Sequence, residues 1–145
     1  MEELLPKFSE KFNDFLVKLT NGMEGFKYKG NSIGPSALLI MYIGSNPNSS
    51  MTDITHYLNL IPSAATRRID KLVNYGIIER ALAENDRRLI LLNLSTDGLE
   101  LYNKFLQKRL NGLKKLAERF DKEELKSFLK ILDFLIETSD DFLEE

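Results

Sequence analysis

Between residues 62 and 88 the chain sets hydroxyls and guanidiniums at spacings that suit contact with a polyanion more than bond-breaking chemistry. From Pro62 to Tyr75 the apolar residues Ala65, Ile69, Leu72 and Val73 fall on one side of a 3.6-residue wheel, and that side must face a core. Opposite lie Ser63, Arg67 and Asn74, with Ala64, Asp70 and Lys71 on the flanks. Short polar groups near a helix start, followed by bases, suit insertion into the major groove of DNA. Ser63 and Thr66 are able to bond phosphate or base edges, and Arg67 to engage a guanine bidentately. An ordinary solvated helix would show a similar wheel, so the segment that follows carries much of the weight.

That segment is a second basic element. Two strand-length runs, 77–83 and 89–94, flank the polar tip Glu84-Asn85-Asp86-Arg87-Arg88 and read as a hairpin. A fold gains nothing from two adjacent guanidiniums at an exposed turn, whereas arginine suits the negative potential of a narrow minor groove. Asp86 would repel phosphate if free; its expected role is to hold an arginine head by a charge-assisted bond.

Composition removes most other chemistries. The 145 residues include no cysteine and one histidine, His56. Thiolate sites, disulfides and thiol redox sensing are thereby excluded, and a multi-histidine metal site is impossible. No nucleophile, base and orienter can be assembled, and no glycine-rich phosphate loop precedes a helix, so an enzyme is not expected and no cofactor is implied. No uninterrupted apolar run, the longest being Ala37 to Ile43, comes near the length that spans a bilayer. Glu2 and Glu3 after Met1 are foreign to the basic start of a secretory signal, so a cytoplasmic location is expected. The net charge of -2 argues against nucleic acid when taken alone. The acid, however, is concentrated beyond Asp121, while residues 66–88 are mildly basic, and polyanion binding depends on the local field. Asp140, Asp141, Glu144 and Glu145 read as a solvated tail, and His56 as a solvent-facing residue.

The elements that must position these groups are mostly helical. A stripe from Leu4 to Leu19, through Phe8, Phe12 and Phe15, forms a first helix ending at Asn21-Gly22, followed by a connection to Gly34. Gly34-Pro35 opens a short apolar helix through Ile43. Ser50 or Thr52 caps the next, with Asp53 in its first turn, burying Ile54, Tyr57 and Leu58. The helix from Pro62 then ends at Gly76. Two short helices and a tight turn followed by a two-stranded ribbon make a winged helix. Ser95 caps a long helix with Leu99, Tyr102, Leu106, Leu113, Leu116 and Phe120 on one side. Asp121 and Glu124 form a capping box for the last helix. The terminal helices carry more apolar surface than a domain of about sixty residues covers, so a dimer is expected, with arms burying each other about a two-fold axis.

The segment DRRLILLNLSTDG, Asp86 to Gly98, resembles the wing signature of the MarR family of transcription regulators, with Asp-x-Arg at the tip and Leu-Thr-x-x-Gly opening the next helix. Asp86, Arg88, Leu94 and Gly98 match, and Ser95 stands for the threonine. LNLIPSAATRRIDKLVNYGIIER, Leu58 to Arg80, is similar to the family's recognition helix and entry into the wing. Two departures stand out: Ile61 replaces a serine or threonine cap, and Gly34-Pro35 replaces a threonine-led helix start.

The resemblance implies a mainly α fold: a winged helix-turn-helix domain over 34–98 with a two-stranded β wing. An N-terminal dimerisation helix and connection over 1–33 and C-terminal dimerisation helices over 99–145 flank it. It implies a homodimer on a pseudo-palindrome of double-stranded DNA, a repressor rather than an activator. Ser63, Ala64, Thr66 and Arg67 would meet the major groove, with Lys71 on the same basic surface. Arg88, oriented by Asp86, would enter the minor groove, and Arg87 would lie on nearby phosphate. Family members often bind a small amphipathic or phenolic ligand, but its lining is too variable to carry across. Tyr28, Tyr42, Tyr57, Phe26 and Phe12 are aromatic candidates. The competing expectation is a winged-helix protein-interaction module without DNA binding.

Overall fold

The largest fully buried side chains, among them Ile33, Leu39, Ile40, Ile54, Ile69, Leu72, Ile77 and Leu92, all come from the middle of the chain. The computed structural model describes residues 1–142, which divide into one unit of residues 1–103 and a second from 104 onward. The first holds α1 (Leu4–Glu24), a hairpin of β1 (Lys27–Tyr28) and β2 (Asn31–Ser32), and a 3-10 turn at Gly34–Ser36. It continues with α2 (Ala37–Ser45), β3 (Ser49–Ser50), α3 (Met51–Tyr57), α4 (Pro62–Asn74), β4 (Ile78–Leu82), β5 (Ile90–Leu94) and the start of α5 (Thr96–Ala117). The second holds the rest of α5, α6 (Lys122–Glu137) and a short 3-10 turn. The fold is mainly α, with α3 and α4 as the helix-turn-helix and β4–β5 as the wing.

Several local rules act as the sequence indicates. Ser50 accepts from the Asp53 N–H at 3.1 Å while the Asp53 carboxylate accepts from the Ser50 N–H at 2.8 Å, closing a capping box on α3. Gly76 takes φ +71° after α4, the left-handed conformation that turns the chain into β4. Asp121 accepts from the N–H groups of Glu123 and Glu124, and Glu124 reaches back to the Asp121 N–H at 2.8 Å.

Elsewhere the structure corrects the expectation. α1 does not stop at Asn21-Gly22 but runs to Glu24, because one glycine inside a helix costs only about 1 kcal/mol. The connection after it contains the β1–β2 hairpin, closed by Lys29 and Gly30 at φ +46° and +80°. Positive φ at both central residues matches strand twist, but two-residue strands carry no readable alternation. The wing hairpin gains a third strand: β3 pairs with β5, giving the order β3-β5-β4. Asn48 and Asn93 clamp that edge, the Asn48 N–H donating to Asn93 Oδ1 at 2.8 Å and Asn93 Nδ2 to Asn48 Oδ1 at 2.9 Å. Tyr57 is exposed, not buried, and stacks on Tyr42 with ring centroids 4.2 Å apart. On α5 the inward residues are Gly98 and Leu101; Leu99 lies on the exposed side. The wheel for this helix is anchored by a glycine, which an apolar count overlooks.

Gly98 and Gly44 mark close approaches. A Cβ at Gly98 would fall 2.1 Å from the Ile77 carbonyl oxygen, and one at Gly44 would meet the Tyr102 ring at 2.3 Å. These contacts seat α5 against the wing base and α2.

Neither α1 nor α6 has a buried residue. Leu4, Leu5, Phe8, Phe15, Leu16 and Leu19 are exposed along α1, and Phe128, Leu129, Ile131, Phe134 and Ile136 along α6. Among the described residues no helix is long and apolar enough to cross a membrane. Asp140 is exposed; the side chain of Asp141, and Glu144 and Glu145 altogether, lie outside the described residues.

Candidate nucleic-acid interface

α4 is held by its apolar side and displays the other. Ala65, Ile69 and Leu72 are fully buried, and Val73 is half-buried. Ser63, Thr66, Arg67 and Asn74 are exposed, and with Asp70, Lys71 and Tyr75 they line one shallow depression on the outer face. Ala64 is half-buried beside them. The helix starts at Pro62 without a side-chain cap from Ile61, whose own side chain is exposed. Proline at this position loses no backbone bond, which offsets part of the missing cap. The Thr66 hydroxyl donates to the Pro62 carbonyl at 2.9 Å, leaving its oxygen lone pairs available as acceptors.

Two charged groups on α4 are committed elsewhere in the protein. Asp70 pairs with Arg80 on β4, tying the helix to the wing strand. Lys71 Nζ donates to the Ser32 carbonyl at 2.9 Å and sits 5.8 Å from the Tyr75 ring centroid. The sequence placed Lys71 with the outward bases, but its ammonium is drawn to the β1–β2 hairpin. Arg67 has no side-chain partner among the described residues.

At the wing tip the residues from Glu84 to Arg88 are all exposed. Asp86 does not hold a guanidinium. Its Oδ1 accepts from the backbone N–H of Arg88 at 2.9 Å, while its carbonyl accepts from the Leu89 N–H at 3.0 Å. This is an Asx turn, in which the side chain imitates a backbone turn. The carboxylate thus fixes the backbone at Arg88 in the turn before β5, and both guanidiniums stay unpaired among the described residues. The wing base is secured by Ser95, which accepts from the Gly98 N–H at 3.0 Å and donates to the Gly76 carbonyl.

Sequence reasoning missed the hairpin side of this surface. Tyr28 donates from its hydroxyl to Asp97 Oδ2 at 3.1 Å, and Lys29 Nζ lies 3.5 Å from the same oxygen. The Tyr28 hydroxyl first, and Asp97 after it, hold the Lys29 ammonium above its ordinary pKa. The Asp53 carboxyl is held below its usual value by the Ser50 backbone N–H and, after that, the Ser50 hydroxyl. Of the aromatic candidates, Tyr42 and Tyr57 stack together, Phe12 stacks on Phe8, and Phe26 is half-buried. Among the described residues no three His, Asp or Glu side chains converge as a metal site would require, and His56 is exposed.

A family model described as MarR family matches residues 35–90, from the 3-10 turn before α2 to the start of β5. The chain is 31% identical over 102 residues to YwhA of Bacillus subtilis (strain 168), an uncharacterized HTH-type transcriptional regulator, covering 70% of this chain and 72% of that one. It is 26% identical over 126 residues to YetL of the same organism, an HTH-type transcriptional repressor, covering 86% and 75%. In fold it is similar to FabT of Streptococcus pneumoniae, solved in complex with DNA. The TM-score is 0.79 at 23% identity, covering 97% of this chain and 98% of that one. By the family-model match and the 31% identity to YwhA over 72% of that protein's length, the chain belongs to the MarR family of HTH-type transcriptional regulators.

Proposed function

We propose that the protein is a cytoplasmic, homodimeric repressor that binds a pseudo-palindromic operator in double-stranded DNA. The observation that carries this reading is the pairing of two outward cationic features on one scaffold, neither with a side-chain partner among the described residues: Arg67 on α4, and Arg88 on a wing turn fixed by Asp86. Ser63, Ala64 and Thr66 let α4 approach the major groove closely, and Arg67 reads a base edge there. Arg88 enters the minor groove, where narrow width concentrates negative potential, and Arg87 lies on phosphate. The fold shared with FabT, itself solved on DNA, supports the docking mode, and the likeness to YetL supports repression.

The dimer follows from surface that a single chain leaves wet. The apolar faces of α1 and α6 exceed what a solvated helix carries, and a second copy would cover them symmetrically. Two recognition helices so related would reach half-sites about one helical turn, ~10 bp, apart. A small amphipathic or phenolic ligand would release the operator by changing that spacing.

The test is fluorescence anisotropy on a labelled duplex from immediately upstream of the protein's own gene, at several salt concentrations and against nonspecific competitor. Binding that tightens as salt falls, and that competitor does not remove, is expected. Absence of any salt-dependent affinity for duplex DNA would leave a protein-interaction module as the better reading.

A further inference from the structure

We infer that Lys71 is a positioning residue, which with the β1–β2 hairpin braces α4 against the base of the wing and does not itself neutralise phosphate. The proposal rests on the DNA-binding reading above. Its ground is a chain of contacts within residues 1–103. Lys71 Nζ donates to the Ser32 carbonyl at 2.9 Å, so one of the ammonium's three N–H donors is engaged by a backbone acceptor on β2. One strand away, the Tyr28 hydroxyl donates to Asp97 at 3.1 Å, in the first turn of α5 and three residues after the wing strand ends. The hairpin between them is short, with its register Lys27↔Ser32 and Tyr28↔Asn31 set by a two-residue turn. Its base is closed by the Ile33 N–H donating to the Phe26 carbonyl at 2.9 Å, and Ile33 is buried in the core.

The hairpin therefore touches both DNA-facing elements near their roots, α4 at Lys71 and the wing's exit at Asp97. It is also the direct continuation of α1, with the Phe26 N–H donating to the Met23 carbonyl at 3.1 Å. A shift of α1, whose apolar face is uncovered in the single chain, would pass through two residues of backbone into the brace. The angle between recognition helix and wing is thereby made dependent on α1. A lysine reaching for phosphate has no need of a carbonyl partner on a separate hairpin.

The two roles separate by salt dependence. A residue that neutralises a phosphate contributes about one unit to the slope of log affinity against log salt, and one that only orients the helix contributes none. Lys71→Met and Tyr28→Phe would be titrated with the duplex used above, and amide hydrogen exchange followed in the same proteins without DNA. Each variant is expected to bind roughly three- to tenfold more weakly at every salt concentration, with the wild-type slope. The double variant is expected to bind no more weakly than Lys71→Met, because both act through one brace. Exchange across residues 26–34 should be faster in both single variants. A slope lower by about one in Lys71→Met, with exchange over 26–34 unchanged, would overturn the proposal. If the wild type shows no salt-dependent affinity, the DNA-binding reading fails while exchange still decides the brace. Faster exchange in Lys71→Met upholds it, and unchanged exchange overturns it.

Discussion

The carboxylate of Asp86 accepts a hydrogen bond from the backbone N–H of Arg88 at 2.9 Å, and the Arg88 guanidinium is unpaired among the described residues. The pair acts as a backbone brace and not as a salt bridge, and the two arrangements answer differently to substitution. Arg88→Ala should weaken operator binding about tenfold or more, ~1.4 kcal/mol, with thermal unfolding unchanged. Asp86→Ala should weaken binding by less, through a wing tip that no longer presents Arg88 in one direction. Asp86→Asn keeps a carbonyl oxygen able to accept the same bond, so it should bind nearly as the wild type. Were the carboxylate's charge the active feature, Asn would be as poor as Ala in the same anisotropy titration.

Arg67 stands on the outward face of α4, with no side-chain partner among the described residues to hold it back. Arg67→Ala should cost ~1–3 kcal/mol on the operator and relax the base preference at one position of each half-site. Binding to a set of single-base operator variants checks this. Uniform weakening across the set would reassign Arg67 to the phosphate backbone.

Gly98 admits no side chain. A Cβ there would fall 2.1 Å from the Ile77 carbonyl oxygen, a backbone atom that cannot rotate away. Gly98→Ala should therefore destabilise the fold by roughly 1–3 kcal/mol or more, read as a lower urea midpoint. The same substitution at Gly22, where a Cβ meets nothing within 4 Å, is the control and should be neutral or slightly stabilising.

How much of this was legible in the sequence follows the range of the interactions. The caps at Ser50 and Asp121 and the turn at Gly76 are local, and each is encoded within four residues. The inward side of α4 is periodic, so Ala65, Ile69 and Leu72 could be assigned from spacing. The outward side was legible as a set of residues, but not in its partners. Asp70 meets Arg80 ten residues on in a different element, and Lys71 meets Ser32 and Tyr28 meets Asp97 across 39 and 69 residues, which no window spans. For Asp86 the sequence indicated a charge partner, yet the nearest donor in space was a backbone N–H two residues on. β1, β2 and β3 are each two residues long and exist only as pairings, leaving no pattern in composition.

The capping box on α3 gives a dependence on acid. Asp53 has a pKa lowered from 3.8 by the Ser50 backbone N–H, so its folded-state value lies below its unfolded one. A depressed carboxylate stabilises the fold above 3.8, and that contribution is lost as pH falls through the lower folded value. The difference in urea midpoint between wild type and Asp53→Asn should therefore be full near neutral pH and shrink in acid below 3.8. A difference independent of pH would show that the carboxylate's charge plays no part in the cap.

The most direct test of the whole account is a hydroxyl-radical footprint of the wild-type complex on the operator. Two protected patches related by a two-fold axis, with flanking minor-groove protections that disappear in Arg88→Ala, are predicted. A single patch, or flanking protection that survives removal of Arg88, would contradict a dimer that reads the minor groove with its wings.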